Sequence, residues 1–327
     1  MLRIHFTARD LENLRIARQP DPLWELVCAL CRLRSGQGPL EFGDWRRATT
    51  HRLRDDRTAR NAVLLAQTLT PATGYIPDFL TPPVSGQGLS AGLEQVRATP
   101  AERLDRELNL LAASRPVPSW VASSGTAFTA PLATALSRCF QALLEPYWPH
   151  VRSAVGNDVG LRSQQLLDGG TRALFAGLRP WARWNAPVLE VDYPKTRDLH
   201  LKGRGLLLVP SYFCWRRPTA LADPDLAPVL VYPVAKRPLG PGPPAAGQLE
   251  RLLGRTRSAV LSHVAAHPDL TTTEVAHAVG IALPSVSHQL SVLRDGGLVV
   301  SRREGRHVLH SATALALSLL DLGGAVP

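Results

Sequence analysis

The sequence predicts an α+β protein, in which a mostly helical N-terminal region with a small antiparallel sheet is followed by a C-terminal domain of short helices and a hairpin. Three observations lead to this fold class. Apolar residues recur at helical spacing through roughly the first half of the chain, Val, Leu and aromatic residues crowd together over residues 188–234, and helical spacing returns after residue 248. At 327 residues the chain is about twice the usual domain length, so we expect two domains.

Helices of the N-terminal region are predicted from apolar spacing. Within residues 101–113, the leucines Leu104, Leu108 and Leu111 recur at i, i+4 and i+7, which places them on one helical face. Loops rich in Gly and Pro, such as residues 35–39 and 81–86, separate such segments. The same criteria predict further helices at residues 23–33, 131–144 and 161–178.

A change of period then marks the predicted sheet and the domain boundary. The segments "PVLEVDYP", "LHLKGRGLLLVPSYFCW" and "APVLVYPV" within residues 188–234 are rich in Val, Leu and aromatic residues and are broken by Pro and Gly, which predicts short antiparallel strands. The next segment, "AKRPLGPGPPAAGQ", lacks apolar periodicity. We therefore divide the chain into an N-terminal α+β domain at 1–240, a Pro/Gly linker at 241–248 and a C-terminal domain at 249–327.

The composition is that of a globular protein with a basic surface. Hydrophobic residues make up 45% of the chain and charged residues 20%, and no stretch approaches the roughly 18 apolar residues that a membrane helix needs. Arg9, Asp10 and Glu12 interrupt any signal-peptide core, so we expect a cytoplasmic protein. The net charge of +10 favours an anionic partner such as nucleic acid. Arginine greatly outnumbers lysine, which is typical of a GC-rich genome, so the charge supports this partner without establishing it.

Two helices open the C-terminal domain. Thr271 and Glu274 fit a capping box at the start of a short helix, Gly280 is placed to end that helix in a left-handed conformation, and Ile281 supplies the apolar residue of the following turn. A longer helix is predicted before it, at residues 248–266. Its apolar side is predicted to consist of Leu252, Leu253, Val260, Leu261 and Val264.

A third helix begins near Pro284 and has two unlike faces. Val286, Leu290 and Leu293 recur at i, i+4 and i+7 and are predicted to face the core. The opposite face is polar, with small hydroxyls and an imidazole that can approach bases and phosphates. This combination is typical of a recognition helix whose N-terminal half enters the DNA major groove. The candidate DNA-contacting residues of this helix are Ser285, Ser287, His288, Gln289 and Ser291.

A predicted hairpin follows the third helix. Residues 298–303 and 306–310 form its strands, with Glu304 and Gly305 as a tight turn. Arg302, Arg303 and Arg306 cluster at its tip, where guanidinium groups suit contact with phosphate or the minor groove. A final apolar helix at residues 312–322 is expected to close the domain or to pair with a second copy.

The stretch "TTTEVAHAVGIALPSVSHQLSVLRDGGLVVSRREGRHVLHSA" resembles the winged-helix core of the ArsR/SmtB family. This resemblance implies a homodimeric bacterial repressor or regulator that binds an imperfect inverted repeat in double-stranded DNA. It also implies that Ser285, Ser287 and His288 read the DNA, with Arg303 and Arg306 in the wing. Ala282 departs from the family pattern, which usually has Ser there, so a helix cap is missing and the resemblance does not carry over one phosphate contact. Segments such as "DPLWELVCALCRLR", "GRGLLLVPSYF" and "VLVYP" resemble the N-terminal region of a set of actinobacterial ArsR-like regulators.

No metal or cofactor site is predicted. The short helix before Gly280 has no cysteine and the final helix offers only Asp321, which falls short of the three or four ligands that a transition metal requires. The remaining candidates are weak. A surface or DNA-facing position is favoured for His263, His267 and His277, and packing as small apolar groups is favoured for Cys28 and Cys31. Core packing is likewise favoured over the lining of a pocket for Trp181, Trp184, Tyr212, Phe213 and Trp215.

The sequence favours a DNA-binding regulator over an enzyme. It contains none of the motifs G-x-S-x-G, G-x-x-x-x-G-K and H-E-x-x-H, nor a dinucleotide-binding fingerprint. Two alternatives stay open for the N-terminal domain. In the first it binds a small-molecule effector, or mediates dimerisation, in a ligand-responsive repressor. In the second it is purely structural, in a constitutive architectural DNA-binding dimer. A sizeable cavity in this domain favours the first alternative.

Overall fold

The computed structural model describes residues 1–72, 74–113, 115–116, 118, 121, 125–236, 248–267, 269–304 and 307–323. The chain forms two compact units, Met1–Leu239 and Gly240–Pro327. Helices and small sheets occur together, which confirms the α+β class.

Helices dominate the first part of the N-terminal unit. The second helix, which is buried, has Pro22 at its first position and Asp21 as its cap. The Asp21 carboxylate accepts hydrogen bonds from the N–H groups of Leu23 and Trp24. The eight helices are α1 (Ala8–Glu12), α2 (Pro22–Arg34), α3 (Pro39–Asp55), α4 (Arg57–Leu69), α5 (Leu89–Arg97), α6 (Ala101–Ala112), α7 (Thr129–Leu143) and α8 (Trp148–Ala176) among the described residues.

The predicted helices are present with shifted ends. The predicted leucines of α6 are buried. Only α8 differs much, because it begins 13 residues before the predicted start at 161 and bends at Gly169 and Gly170. Gly170 has φ 62° and ψ −158°, which residues with a side chain rarely adopt.

The predicted single antiparallel sheet is wrong in its pairing, because the unit contains two mixed four-stranded sheets. Their strand orders are β3-β4-β1-β5 and β2-β6-β8-β7. β1 is antiparallel to β4 but parallel to β5, and β6 is parallel to both β2 and β8. The strands are β1 (Leu2–His5), β2 (Arg15–Ile16), β3 (Ala182–Asn185), β4 (Val188–Val191), β5 (Arg197–His200), β6 (Leu207–Ser211), β7 (Thr219–Ala220) and β8 (Val229–Pro233).

The physical reason for this difference is burial on both faces. β6 and β8 are buried at almost every position, and such continuous apolar runs are typical of parallel strands covered on both sides. Strands from the first 16 residues complete both sheets, since β2 pairs with β6 and β1 pairs with β4 and β5, all of which lie far away in the sequence.

Aromatic side chains fill the core beside these strands, as predicted. Tyr212 and Phe213 are fully buried, and Trp181 stacks on Tyr232 with ring centroids 5.1 Å apart. Trp184 and Trp215 pack against the same core from partly buried positions. Trp181 also borders a cavity of about 270 Å³.

The C-terminal unit has its own core, built from three helices and a three-stranded sheet of order β10-β11-β9. A further helix lies at each end of the unit. The elements are α9 (Gln248–Leu253), α10 (Arg255–Ala266), β9 (Leu270–Thr271), α11 (Thr272–Val279), α12 (Leu283–Asp295), β10 (Val299–Glu304), β11 (His307–Ala312) and α13 (Ala314–Gly323).

Two predicted helices of this unit are corrected. The predicted helix at 248–266 is divided at Gly254, whose φ of 81° interrupts it, and Leu252 is 68% exposed instead of buried. The final helix starts at Ala314 rather than 312, because Ala312 pairs with Val299 in the hairpin. The Thr313 hydroxyl then accepts a hydrogen bond from the N–H of Ala316 at 3.2 Å and caps α13.

Candidate nucleic-acid interface

Local contacts at both ends of α11 define this helix and the turn that leads from it to α12. The N–H of Thr271 donates to the Glu274 carboxylate at 2.8 Å and the N–H of Glu274 donates to the Thr271 hydroxyl at 3.3 Å, so the predicted capping box is present. Gly280 ends the helix with φ 71° and ψ 32°, the left-handed conformation expected of it. Ile281 packs, partly buried, against the core. These contacts set the angle at which α12 follows.

The structure has the buried and exposed faces of α12 where the sequence predicts them. Val286, Leu290 and Leu293 are buried in the core of the unit. The helix starts at Leu283 after Ala282, which provides no side-chain cap. Packing of these apolar side chains therefore holds the start of α12 in place without a side-chain cap.

The predicted contact residues of α12 fall into two groups. Ser285, Ser287 and His288 are exposed, and the structure gives none of these three described side chains a hydrogen-bond partner. Gln289 and Ser291 are half-buried and engaged. The Gln289 amide oxygen accepts a hydrogen bond from Arg257 of α10 at 3.0 Å, and the Ser291 hydroxyl accepts one from Arg294 at 3.0 Å. The first group is thus available to a partner, whereas Gln289 joins α12 to α10 and Ser291 bonds within α12.

The predicted hairpin is present, and its arginines differ in their surroundings. Arg302 contacts the carboxylates of Glu304 at 3.1 Å and Asp269 at 3.9 Å. Arg303 is exposed, opposite Val308, and within the described part of the chain it forms no ion pair. Arg306, the third predicted residue, lies outside the described residues. Of the two described hairpin arginines, Arg303 is therefore the one whose charge is free for a partner.

One residue that the sequence did not single out ties the hairpin to α11. His310 is buried, and its two ring nitrogens lie 2.8 Å from the Ser301 hydroxyl and 3.0 Å from the Thr272 hydroxyl. Burial, with a smaller contribution from the charge of Arg294, lowers the pKa of His310.

Comparison with known proteins finds a family match in the C-terminal unit and one curated relative. A family model described as a helix-turn-helix domain matches residues 252–302. Over 66 residues the chain is 41% identical to the HTH-type transcriptional regulator NmtR of Mycobacterium tuberculosis.

The C-terminal unit contains a helix-turn-helix domain. The match to NmtR, an ArsR/SmtB-family regulator, confirms the resemblance inferred from the sequence. The matched domain and relative are transcription regulators, not enzymes.

These matches cover a limited part of each chain. The alignment with NmtR spans 20% of this chain and 54% of NmtR, so the chain spans about half the length of the curated relative that it matches. Among solved structures, a predicted DNA-binding transcriptional regulator from E. coli aligns at 21% identity over 23% of this chain and 81% of that chain. The TM-score of 0.20 is too low to support an inference about the fold.

Neither unit gathers a metal-ligand set in its described part. No group of three or more His, Cys, Asp or Glu side chains there could hold a metal ion. In the helix-turn-helix domain, His263 and His267 pair with each other, with ring centroids 4.7 Å apart. His277 is exposed on α11.

The thiols of the N-terminal unit are buried in the core. Burial raises the pKa of Cys31 to about 11 and that of Cys139 to about 12, and a hydrogen bond with Cys214 together with burial raises the pKa of Cys28. Because the thiolate is the form that binds metals and reacts, these environments suit packing.

In the described residues, no helix is both long and apolar enough to cross a membrane.

Proposed function

We propose that the protein is a sequence-specific DNA-binding transcriptional regulator that uses α12 as its recognition helix. The observation that carries the proposal is the exposed surface of Ser285, Ser287 and His288 directly after the fixed turn of the helix-turn-helix domain. Three buried residues hold the other side of the same helix. A polar helix face presented by a rigid domain is what insertion into the major groove requires.

The hairpin is proposed to act as the wing. Exposed Arg303 is placed to contact a phosphate or the minor groove. Arg302 has first to leave Glu304 and Asp269, so it contributes less than an unpaired arginine. Arg306 is proposed as a third wing contact on the resemblance to the ArsR/SmtB family alone.

A homodimer on an inverted-repeat operator fits the apolar residues left exposed on the terminal helices of this unit. Leu252 of α9 is 68% exposed, and Leu315 and Leu317 of α13 are 60% and 45% exposed. Exposed apolar patches of this kind are typical of surfaces that a partner covers. Because one winged helix reads few base pairs, a second copy also adds the specificity that a genome requires.

The N-terminal unit is proposed to bind a small-molecule effector that releases a repressor from DNA in the cytoplasm. A cavity of about 680 Å³ in this unit favours the ligand-responsive alternative over the purely architectural one.

The proposal is tested by electrophoretic mobility shift on the DNA upstream of the protein's own coding sequence, with and without cell extract. We expect a shifted band that resists an excess of a shuffled duplex and weakens when extract supplies the effector. Equal competition by the specific and shuffled duplexes would contradict sequence-specific binding. A shift that no extract changes would favour the architectural alternative.

A further inference from the structure

The cavity of about 680 Å³ lies between the chain around β2 and the long helix α8, within the N-terminal unit. Leu14 and Ile16 alternate along the chain through β2, so their side chains share one face. Val159 and Leu166 share one face of α8, two turns apart. All four line the cavity, which is therefore the space between a strand face and a helix face.

Two features of α8 leave space between the helix face and the strand face. Ser163, in the middle of the helix wall, has a short side chain where a larger one would fill the space. The helix then bends at Gly169 and Gly170, and Thr171 and Leu174 beyond the bend also line the cavity. As a result, Leu166 stays 41% exposed although it faces an apolar wall. A ligand that covers these walls removes apolar surface from water, which favours binding.

Two charges at the cavity define the polar part of a ligand. Glu12 and Arg18 both line it and both are exposed. Within the described part of the chain, neither side chain has a hydrogen-bond or ion-pair partner. The guanidinium of Arg18 presents parallel N–H donors that match the two oxygens of a carboxylate. Because two parallel N–H donors hold a carboxylate in one orientation, a carboxylate at Arg18 is favoured over an ammonium at Glu12.

We propose that this cavity binds an apolar carboxylic acid, with its hydrocarbon part between Ile16 and Leu166 and its carboxylate on Arg18. The volume lies within the range of about 300–1,000 Å³ that is common for small-molecule sites. As an effector site it deepens the proposed function and rests on it. The binding itself depends only on the N-terminal unit.

Isothermal titration of the full chain without DNA tests the site, with sodium dodecanoate as the probe and dodecylammonium chloride as the probe of opposite charge. Ser163→Trp fills the middle of the cavity, and Gln164→Trp places the same side chain on the neighbouring exposed position, which does not line it. Arg18→Gln removes the charge from an exposed position. We expect dodecanoate to bind one to one, and at least about tenfold more weakly to Ser163→Trp and to Arg18→Gln than to wild type. Gln164→Trp should bind as wild type does, and dodecylammonium should bind more weakly than dodecanoate.

Three results would overturn this proposal. The first is no heat of binding with dodecanoate. The second is unchanged affinity in both Ser163→Trp and Arg18→Gln at unchanged melting temperature, which would locate the binding elsewhere. The third is equal affinity for the two probes, which would remove the carboxylate from the assignment. Because no DNA is present, each result is separate from the outcome of the mobility-shift experiment.

Discussion

Replacing Ser287 and His288 together by alanine should erode the preference for operator DNA while the domain stays folded. Both side chains are exposed and, among the described contacts, have no partner to lose, and the buried Val286 and Leu290 are untouched. A good base contact contributes about 1–3 kcal/mol of discrimination, so the ratio of operator to random-sequence affinity should fall about 5- to 150-fold.

Arg303→Ala should act in a different way. Its guanidinium is exposed and, within the described residues, unpaired, so its proposed role is a phosphate or minor-groove contact. Affinity should fall for operator and random DNA alike, and the slope of log affinity against log salt should shrink by about 0.9 for one lost phosphate contact. Arg60→Ala makes the same charge change at an exposed position of the N-terminal unit and serves as the matched control.

Fluorescence anisotropy with labelled operator and scrambled duplexes, over a range of salt concentrations, measures both effects. Melting temperatures of all variants establish that folding is intact. If the α12 double variant and the wing variant both bind the two duplexes as wild type does, with the same salt slope, then α12 is not a recognition helix and the reasoning is refuted.

Three further predictions concern stability and assembly. Burial raises the pKa of Glu25 from 4.5 to about 7, so the folded state holds this proton more tightly than the unfolded state does. The unfolding free energy should therefore fall as the pH rises from about 4.5 to about 7, and Glu25→Gln should flatten this decline in urea unfolding; an unchanged pH profile would contradict the assignment. Gly170→Ala should destabilise the N-terminal unit by about 1–3 kcal/mol, because φ 62° with ψ −158° is strained for alanine; thermal unfolding that matches wild type would show that the bend adapts. Leu315→Glu with Leu252→Glu should shift sedimentation from dimer to monomer, and a wild type that sediments only as a monomer at micromolar concentration would exclude the dimer.

The helix-turn-helix region was predictable because its signals are local. Thr271 and Glu274 are three residues apart, Gly280 ends the helix that they start, and the apolar residues of α12 lie within two turns. Each of these features depends on neighbours in the sequence, so a short window contains the information. The separation of exposed Ser287 from buried Val286 follows from helical geometry alone.

Two helix boundaries in the same unit were predicted wrongly, because apolar periodicity was given more weight than a local signal at each boundary. Leu252 and Leu253 continue the apolar spacing of α10, yet Gly254 between them and that helix adopts a positive φ and divides the segment. Thr313 is a good cap for α13, but the predicted helix was extended by one residue to Ala312, which belongs to the hairpin. In both places a single residue marks the boundary, Gly254 through its positive φ and Thr313 through its capping hydroxyl.

The sheets of the N-terminal unit were beyond such reasoning because their partners are distant. Leu2 pairs with Val191 on one side and with Arg197 on the other, and no short window contains both strands. Strand direction is likewise set by what covers the two faces. The ion pair between Arg302 and Asp269 could not be predicted either, because the two residues are distant in the sequence and only the fold brings them together.

Recognition of DNA sequence by α12 is tested most directly by selecting duplexes from a random library with the full chain and sequencing the bound pool. Two copies of a winged helix-turn-helix should enrich an inverted repeat with half-sites about one helical turn apart, and the Ser287→Ala, His288→Ala variant should lose that enrichment while it still retains DNA. A pool that is retained without any enriched motif, or a motif that the variant selects equally well, would contradict recognition of sequence by α12.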